Sequence, residues 1–187
     1  RRNVIAHRAV SMIATAAASV PWKLTEQRAR TSRVVENHVL LGLLNNPNPL
    51  QGGTELCEAL YSHRLIAGNA YLHAIGPKDG MPLELHVLRP DRVQIVPGAG
   101  GVPKAYRYSI DTRTVDVPVD AMTGQSRILH LKTFHPLDDW YGMSPMEAAA
   151  YSIDQHNQCS AWNQALLQNG ARPSGALMVK AGEGMPG

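Results

Sequence analysis

A long helix with well-marked ends is the feature that most constrains the fold of this chain. The helix is predicted to begin after Ser144, whose hydroxyl suits the N-cap position. Pro145 follows at the first helical position, where its fixed φ favours the helix and its missing N–H costs nothing. Glu147 completes a Ser-x-x-Glu capping box, in which each side chain accepts the backbone N–H of the other residue.

The same helix has an equally clear end at Asn169 and Gly170. Glycine favours the left-handed conformation that closes many helices, and Pro173 prevents any continuation. The predicted helix, residues 145–168, is then roughly 36 Å long at 1.5 Å per residue. This length is unusual in a chain of 187 residues, and it suggests a role beyond the core of a single domain.

The rest of the chain mixes helical and strand patterns. Residues 3–19 have the apolar spacing of a helix, which Pro21 ends. The apolar positions are Ile5, Ala9, Met12, Ile13, Ala16 and Val20. Gly68-Asn69 is predicted to end a second long helix, and after it the period changes to that of short strands. We predict an α+β fold, with a small antiparallel or mixed β-sheet flanked by about four helices, and flexible loops at 26–33 and 97–103.

Length and composition indicate a single folded domain over residues 1–187. Apolar residues make up 44% of the chain and charged residues 18%, so a core can form. The sequence has no run of about 20 apolar residues, so we predict no transmembrane helix and no membrane partner. The chain starts with Arg1 rather than Met and ends in a Gly/Pro-rich run. We therefore expect it to be a piece of a longer protein.

Basic residues are concentrated near the N-terminus. The net charge is +3, but residues 1–33 hold seven Lys and Arg against Glu26 alone, a balance of +6 that leaves −3 for the rest. Such an arm could bind nucleic acid or an acidic neighbour. A solvated helix face and loop is the favoured interpretation, since no nucleic-acid motif accompanies it.

Histidines and cysteines do not form a convincing metal site. Cys57 and Cys159 lack the CxxC spacing of zinc sites, and both fall in helical patterns where a small buried residue fits. His130 and His135, followed by Asp138-Asp139, could bind a metal. Their spacing matches no zinc signature, and His130, in a strand, should point away from His135. We predict no metal and no cofactor.

Ser144 also lies in a segment, Gly142-Met143-Ser144, that superficially resembles the nucleophile elbow of hydrolases. The second glycine of that motif is missing, and Pro145 has no N–H to offer an oxyanion hole. The helix cap already explains this serine. The sequence therefore assigns no catalytic residue, and we predict that the protein is not an enzyme.

The middle of the predicted long helix is polar on every side. An apolar stripe runs through Met146, Ala149, Ile153, Cys159, Trp162 and Leu166. The polar side chains include Gln155, His156, Gln158, Asn163 and Gln164. Two interpretations remain open: a solvated outer face, or a subunit interface held by amide and hydroxyl hydrogen bonds.

Several short motifs follow one another along the chain: Asn45-Asn46-Pro47-Asn48-Pro49, Gly68-Asn69-Ala70-Tyr71-Leu72, Pro90-Asp91-Arg92-Val93, Tyr141-Gly142-Met143-Ser144-Pro145-Met146-Glu147 and Asn169-Gly170-Ala171-Arg172-Pro173. In this order and at these spacings, they resemble the portal proteins of tailed phages or prophages. The resemblance runs from about Ile5 to Val179. Its marker residues are Gly68, Asn69, Tyr71, Gly142, Ser144, Pro145, Glu147, Asn169, Gly170 and Pro173.

The resemblance implies a structural ring rather than an enzyme. Members of this family form dodecamers at one capsid vertex, through which double-stranded DNA is packaged and ejected. Terminase, capsid and head-tail connector proteins contact the ring. The implied location is the virion and, during assembly, the host cytoplasm.

By its order along the chain, this sequence corresponds to the N-terminal wing-side part of such a subunit. The stem, clip and crown regions would lie beyond Gly187. Two alternatives stand beside this interpretation: a DNA-binding module that uses the basic N-terminal residues, and a hydrolase.

Overall fold

The structure, a computed structural model, describes residues 3–28, 31–77 and 80–170. Its helices are α1 (Val4–Ala18), α2 (Val39–Asn45), α3 (Gly53–Ala67), α4 (Pro145–Ala148) and α5 (Ala150–Gln168). Its strands are β1 (Leu24–Arg28), β2 (Thr31–Val35), β3 (Asn69–Ile75), β4 (Glu84–Leu88), β5 (Val93–Val96), β6 (Ala105–Ile110), β7 (Arg113–Pro118) and β8 (Ile128–Lys132).

The strands form three small antiparallel sheets. Their orders are β1-β2, β4-β3-β8 and β5-β6-β7. The predicted α+β class is confirmed. The described residues contain five helices rather than about four, and the strands divide among three sheets rather than one.

The chain divides into two compact units after Ala150. One unit holds α1 to α4 and all three sheets. The other begins at Tyr151 and holds nearly all of α5. The single domain expected over residues 1–187 stays a prediction.

The sheet β4-β3-β8 is covered on both faces, because apolar side chains of its strands lie on each face. On one face, Tyr71 and Ile128 pack against β5 and β6 in a cluster completed by Leu88, Val93, Ile95 and Tyr106. On the other face, Leu85 packs against Leu43 of α2 and Leu56 of α3. Each such side chain contributes about 1.5–3 kcal/mol when fully buried, so this sheet is the centre of its unit.

Helix α1 packs on α3 through its small residues. Ala14 and Ala18 are buried, and the Thr15 hydroxyl donates to Glu58 at 3.0 Å. The apolar positions at helical spacing (Ile5, Ala9, Met12, Ile13, Ala16 and Val20) are all exposed. Both faces of α1 are apolar, so periodicity alone cannot decide between them, and small side chains allow the closer approach to α3.

The loop predicted over residues 26–33 is wrong over most of its length. Strands β1 and β2 pair from Leu24↔Val35 onward and form a hairpin, whose residues 29 and 30 lie outside the described part. Residues 97–103 lie between β5 and β6 and contain one short 3₁₀ turn at Ala99–Gly101. Their flexibility stays a prediction.

The helix predicted as one piece over 145–168 is divided at Ala149. The φ and ψ of Ala149 are −91° and 1°, away from the helical ψ near −42°, so α4 and α5 are separate segments. Cys57 is buried as predicted, but Cys159 is exposed on α5. None of the described helices is long and apolar enough to cross a membrane.

Candidate functional site

Two glycines bring the end of α3 into backbone contact with the segment before α4. Gly68 ends α3 with a left-handed φ of 71°, as the sequence predicted. A Cβ on Gly68 would lie 2.2 Å from the carbonyl oxygen of Gly142. A Cβ on Gly142 would lie equally close, at 2.2 Å, to the carbonyl oxygen of Gly68. Neither place has room for a side chain, so both positions require glycine.

Asn69 joins three segments with one carboxamide. Its Oδ1 accepts the N–H of Gly142 at 2.7 Å and the Nε2–H of His130 at 2.9 Å. Its Nδ2 donates to the carbonyls of Ala67 at 2.8 Å and Gly142 at 3.2 Å. Asn69 is 6% exposed, and burial of this amide is favourable because both donors and both acceptor positions have partners.

Thr133 follows β8 and closes the same contact from the other side. Its N–H donates to the carbonyl of Gly68 at 2.9 Å. Its hydroxyl lies 3.0 Å from the Gly68 oxygen and 2.5 Å from the Met143 oxygen, and its one proton can serve either acceptor.

Ser144 caps α4 and also fastens it to α3. Its hydroxyl accepts the N–H of Met146 at 2.9 Å and donates to the carbonyl of Leu65 at 2.9 Å. The predicted N-cap is therefore confirmed, but the accepted N–H belongs to Met146 rather than Glu147, as the capping box would require. We call Gly68, Asn69, Thr133, Gly142 and Ser144 the junction.

Aromatic side chains lie directly beside the junction. The His130 ring stacks on Tyr71, with centroids 4.4 Å apart, and meets Tyr106 edge-on at 5.9 Å. Burial, with a smaller effect from Lys132, lowers the pKa of His130 to about 4. Burial raises the pKa of Tyr71 above its usual range. Both side chains are therefore neutral near pH 7, which suits an apolar layer under the junction.

The loop before α4 is held by its own polar groups. Asp138 Oδ1 accepts the N–H groups of Trp140 at 2.7 Å and Tyr141 at 3.0 Å. These hydrogen bonds lower the pKa of Asp138. The Tyr141 hydroxyl accepts the N–H of Ile95 at 2.9 Å, which ties this loop to β5.

The side chains considered above as catalytic or metal-binding candidates form hydrogen bonds within the fold. Ser144 is 5% exposed, and both its proton and a lone pair are in use. His130 donates to Asn69, whereas His135 accepts the N–H of Leu137 at 3.0 Å. In the described part of the chain, no three His, Cys, Asp or Glu side chains are arranged to hold a metal.

The candidate interface residues lie together on α5, and all of them are exposed: Gln155, His156, Gln158, Asn163 and Gln164. None of the residues of α5 is buried, including those of the apolar stripe. The helix ends as predicted, with a positive φ of 65° at Gly170. Pro173 lies outside the described residues.

The family of the chain follows from comparison with known proteins. The sequence model of the family described as phage portal protein matches residues 5–186. The chain belongs to the phage portal protein family. Two curated relatives, uncharacterized proteins of Rickettsia bellii and Rickettsia felis, are 41% and 40% identical over 184 residues. These residues are 98% of this chain but 46% of each relative, so the chain spans about half of their length.

Chains in solved structures of gene transfer agent particles resemble this fold as well. A chain in the neck of an empty gene transfer agent particle, computed with C6 symmetry, is 48% identical with a TM-score of 0.80. The match covers 93% of this chain and 45% of that one. A chain in the neck of the native particle, computed with C12 symmetry, is 45% identical with a TM-score of 0.76, over 99% of this chain and 48% of that one.

The structure brings four of the ten marker residues together at the junction: Gly68, Asn69, Gly142 and Ser144. Sequence reasoning missed the roles of Thr133 in the junction and of His130 beside it. Thr133 was not singled out, and His130 was considered as a metal ligand rather than as a buried donor to Asn69. The available signal was the strand pattern of β8, whose His130 lies opposite Tyr71 in the register of β3.

Proposed function

We propose that this chain is the wing-side part of a structural portal subunit, which assembles with further copies into a ring at one vertex of a virion. The observation that carries the proposal is the 48% identity and TM-score of 0.80 to a chain of a particle neck. Family membership over residues 5–186 supports the same role. The role is structural rather than catalytic, which accords with the structural use of Ser144 and His130.

The partners follow from this role. The C12 symmetry of one related neck supports twelve subunits in the intact protein. We propose that terminase, capsid and head-tail connector proteins bind the ring, that double-stranded DNA passes through it, and that it assembles in the host cytoplasm before it is part of the virion. The modest net charge of +3 suits a channel through which DNA must slide, since many phosphate contacts would hold it.

Electron microscopy of the protein at its full natural length tests the ring. Negatively stained particles should be rings with a central hole. A protein that remains monomeric at every concentration, by light scattering, would overturn the proposal.

We further propose that the exposed amides of α5 contact a neighbouring subunit. The double change Gln155→Ala and Gln158→Ala should weaken ring assembly because both side chains would lose intersubunit hydrogen bonds. The double change Gln94→Ala and Gln125→Ala is the matched control, since it removes two exposed amides elsewhere. Equal assembly of both double variants in sedimentation experiments would refute the role of α5.

A further inference from the structure

The outward face of α1 is apolar and lacks a partner in the described part of the chain. Val4, Ile5, Met12 and Ile13 are 81%, 63%, 58% and 55% exposed. Ile5, Met12 and Ile13 share one face at the spacing of helical turns, opposite the buried Ala14. Single exposed apolar residues are ordinary, but a contiguous row along a helix marks an interaction surface.

The hairpin that follows α1 along the chain also has exposed apolar side chains. Strands β1 and β2 make their main contacts with each other. Trp22 before the hairpin and Val34 in β2 are 52% and 56% exposed. A two-stranded hairpin is only marginally stable in water without a surface to cover it. The hairpin thus provides a second observation, independent of α1, that this part of the chain is built for contact.

The charge of this region is complementary to the rest of the chain. Residues 1–33 carry +6, and the remainder carries −3. Among the described side chains, Arg8, Lys23 and Arg33 are exposed. Exposed basic and apolar side chains suit an acidic protein surface, and the rest of this chain has a net negative charge.

We propose that the N-terminal arm, defined as α1, β1 and β2, is the surface by which one copy of this chain contacts the next copy in the ring. The proposal rests on the ring assembly proposed above. A rotational ring needs a heterologous contact, in which two different surfaces of each copy meet. The arm supplies the basic and apolar surface, and the acidic remainder of the neighbouring copy supplies the other.

DNA is a less suitable partner for the arm than a second copy of the chain. Phosphate contacts need rows of Lys and Arg, whereas α1 contains Arg8 alone and is apolar along the rest of its outward face. Burial of Ile5, Met12 and Ile13 against another protein surface would remove apolar area from water, which a DNA backbone cannot do as well.

Charged substitutions on α1 test the proposal in the protein at its full natural length. The double change Met12→Glu and Ile13→Glu should raise the subunit concentration needed for ring assembly about tenfold or more, because it places two charges in the contact. The matched control, Met122→Glu and Leu137→Glu, alters two side chains that are 97% and 92% exposed outside the arm. The control should leave that concentration within about twofold of wild type.

A second measurement uses the asymmetry of the contact. A chain with the altered α1 keeps the rest of its surface, with which a neighbouring arm would pair. Small amounts of it should therefore join wild-type chains and stop their growth into closed rings. Circular dichroism spectra and thermal unfolding of the variant should match wild type, which excludes misfolding as the cause.

The outcomes separate the two proposals. Absence of rings in the wild-type protein would overturn ring assembly itself. Wild-type rings together with equal assembly of the Met12→Glu and Ile13→Glu variant would overturn the arm contact alone. An Arg8→Glu variant gives a further test. If this variant forms normal rings but has lost salt-dependent DNA binding, the arm contacts nucleic acid rather than a neighbouring copy, and the arm contact is overturned.

Discussion

The junction and the N-terminal arm use their residues in opposite ways. At the junction, every hydrogen-bonding position of the Asn69 carboxamide has a partner, and two glycine backbones touch. In the arm, large apolar side chains such as Ile5 and Met12 remain exposed. The comparison shows which residues serve the folding of one copy and which remain for a contact between copies.

The largest effect on folding is expected from Gly68→Ala. The new Cβ would overlap the Gly142 carbonyl and would also hold a left-handed φ, so the free energy of unfolding should fall by about 4 kcal/mol or more. Gly124→Ala is the control, because Gly124 has a φ of 68° but no atom near its Cβ position. It should cost about 1–2 kcal/mol from the backbone alone. Equal losses in urea unfolding would show that the glycine contact does not matter.

Asn69→Ala should have the next largest effect. It removes the partners of the Gly142 N–H and of the His130 ring inside a buried site, and we expect a loss of about 3 kcal/mol. Asn48→Ala is the comparison, because Asn48 is half-buried and makes two hydrogen bonds. It should lose about 1 kcal/mol. If both variants unfold at the same urea concentration, the buried hydrogen bonds of Asn69 add no more stability than those of Asn48.

Ser144→Ala should cost about 1–2 kcal/mol, since it removes both a helix cap and the bond to Leu65. Asn3→Ala removes the cap of α1, in which Asn3 accepts the N–H of Ala6 at 2.9 Å. The Ser144 variant should lose more stability than the Asn3 variant in the same denaturation series. The reverse order would mean that the bond to Leu65 contributes nothing.

The pH dependence of stability should report on His130. Its pKa is about 4 in the folded chain and 6.5 for an ordinary histidine, so the unfolded chain binds the extra proton first as the pH falls. Stability should therefore decrease between about pH 6.5 and pH 4. His130→Phe keeps a ring against Tyr71 and removes the titration. Denaturation at pH 7.5 and pH 5.0 should show a smaller decrease for this variant, and identical decreases would contradict the assignment.

The smallest effect on folding is expected in the arm. Met12→Glu with Ile13→Glu should change the stability of the monomer by less than about 0.5 kcal/mol, because both side chains are more than half exposed and Glu favours helices. A loss comparable to that of Asn69→Ala, measured by urea unfolding of monomer, would mean that this face belongs to the core and would remove the contrast with the junction.

Local signals allowed much of the fold to be predicted from the sequence. Ser144, Gly68 and Gly170 mark helix ends through chemistry that depends on neighbouring residues alone. The alternation in β3 and β4 likewise indicated strands. These signals explain why the α+β class and the ends of α3 and α5 could be predicted.

Features that depend on distant partners could not be predicted. Ala14 rather than Met12 faces the core because α3 lies close to α1, and no local rule contains that distance. Cys159 is exposed although its helical position resembles a buried one. His130 looked like a metal ligand because the acceptor of its hydrogen bond, Asn69, is 61 residues away in the sequence.

The separation between Asn69 and Gly142 also has a consequence for folding during synthesis. These residues are 73 positions apart, so the ribosome, at about 5–20 residues per second, takes roughly 4–15 s to make the second after the first. During that interval the carboxamide of Asn69 and the carbonyl of Gly68 have no native partners from the later segment. Strands β3 and β4 can pair early, whereas β8 and the start of α4 are synthesised last and complete this unit.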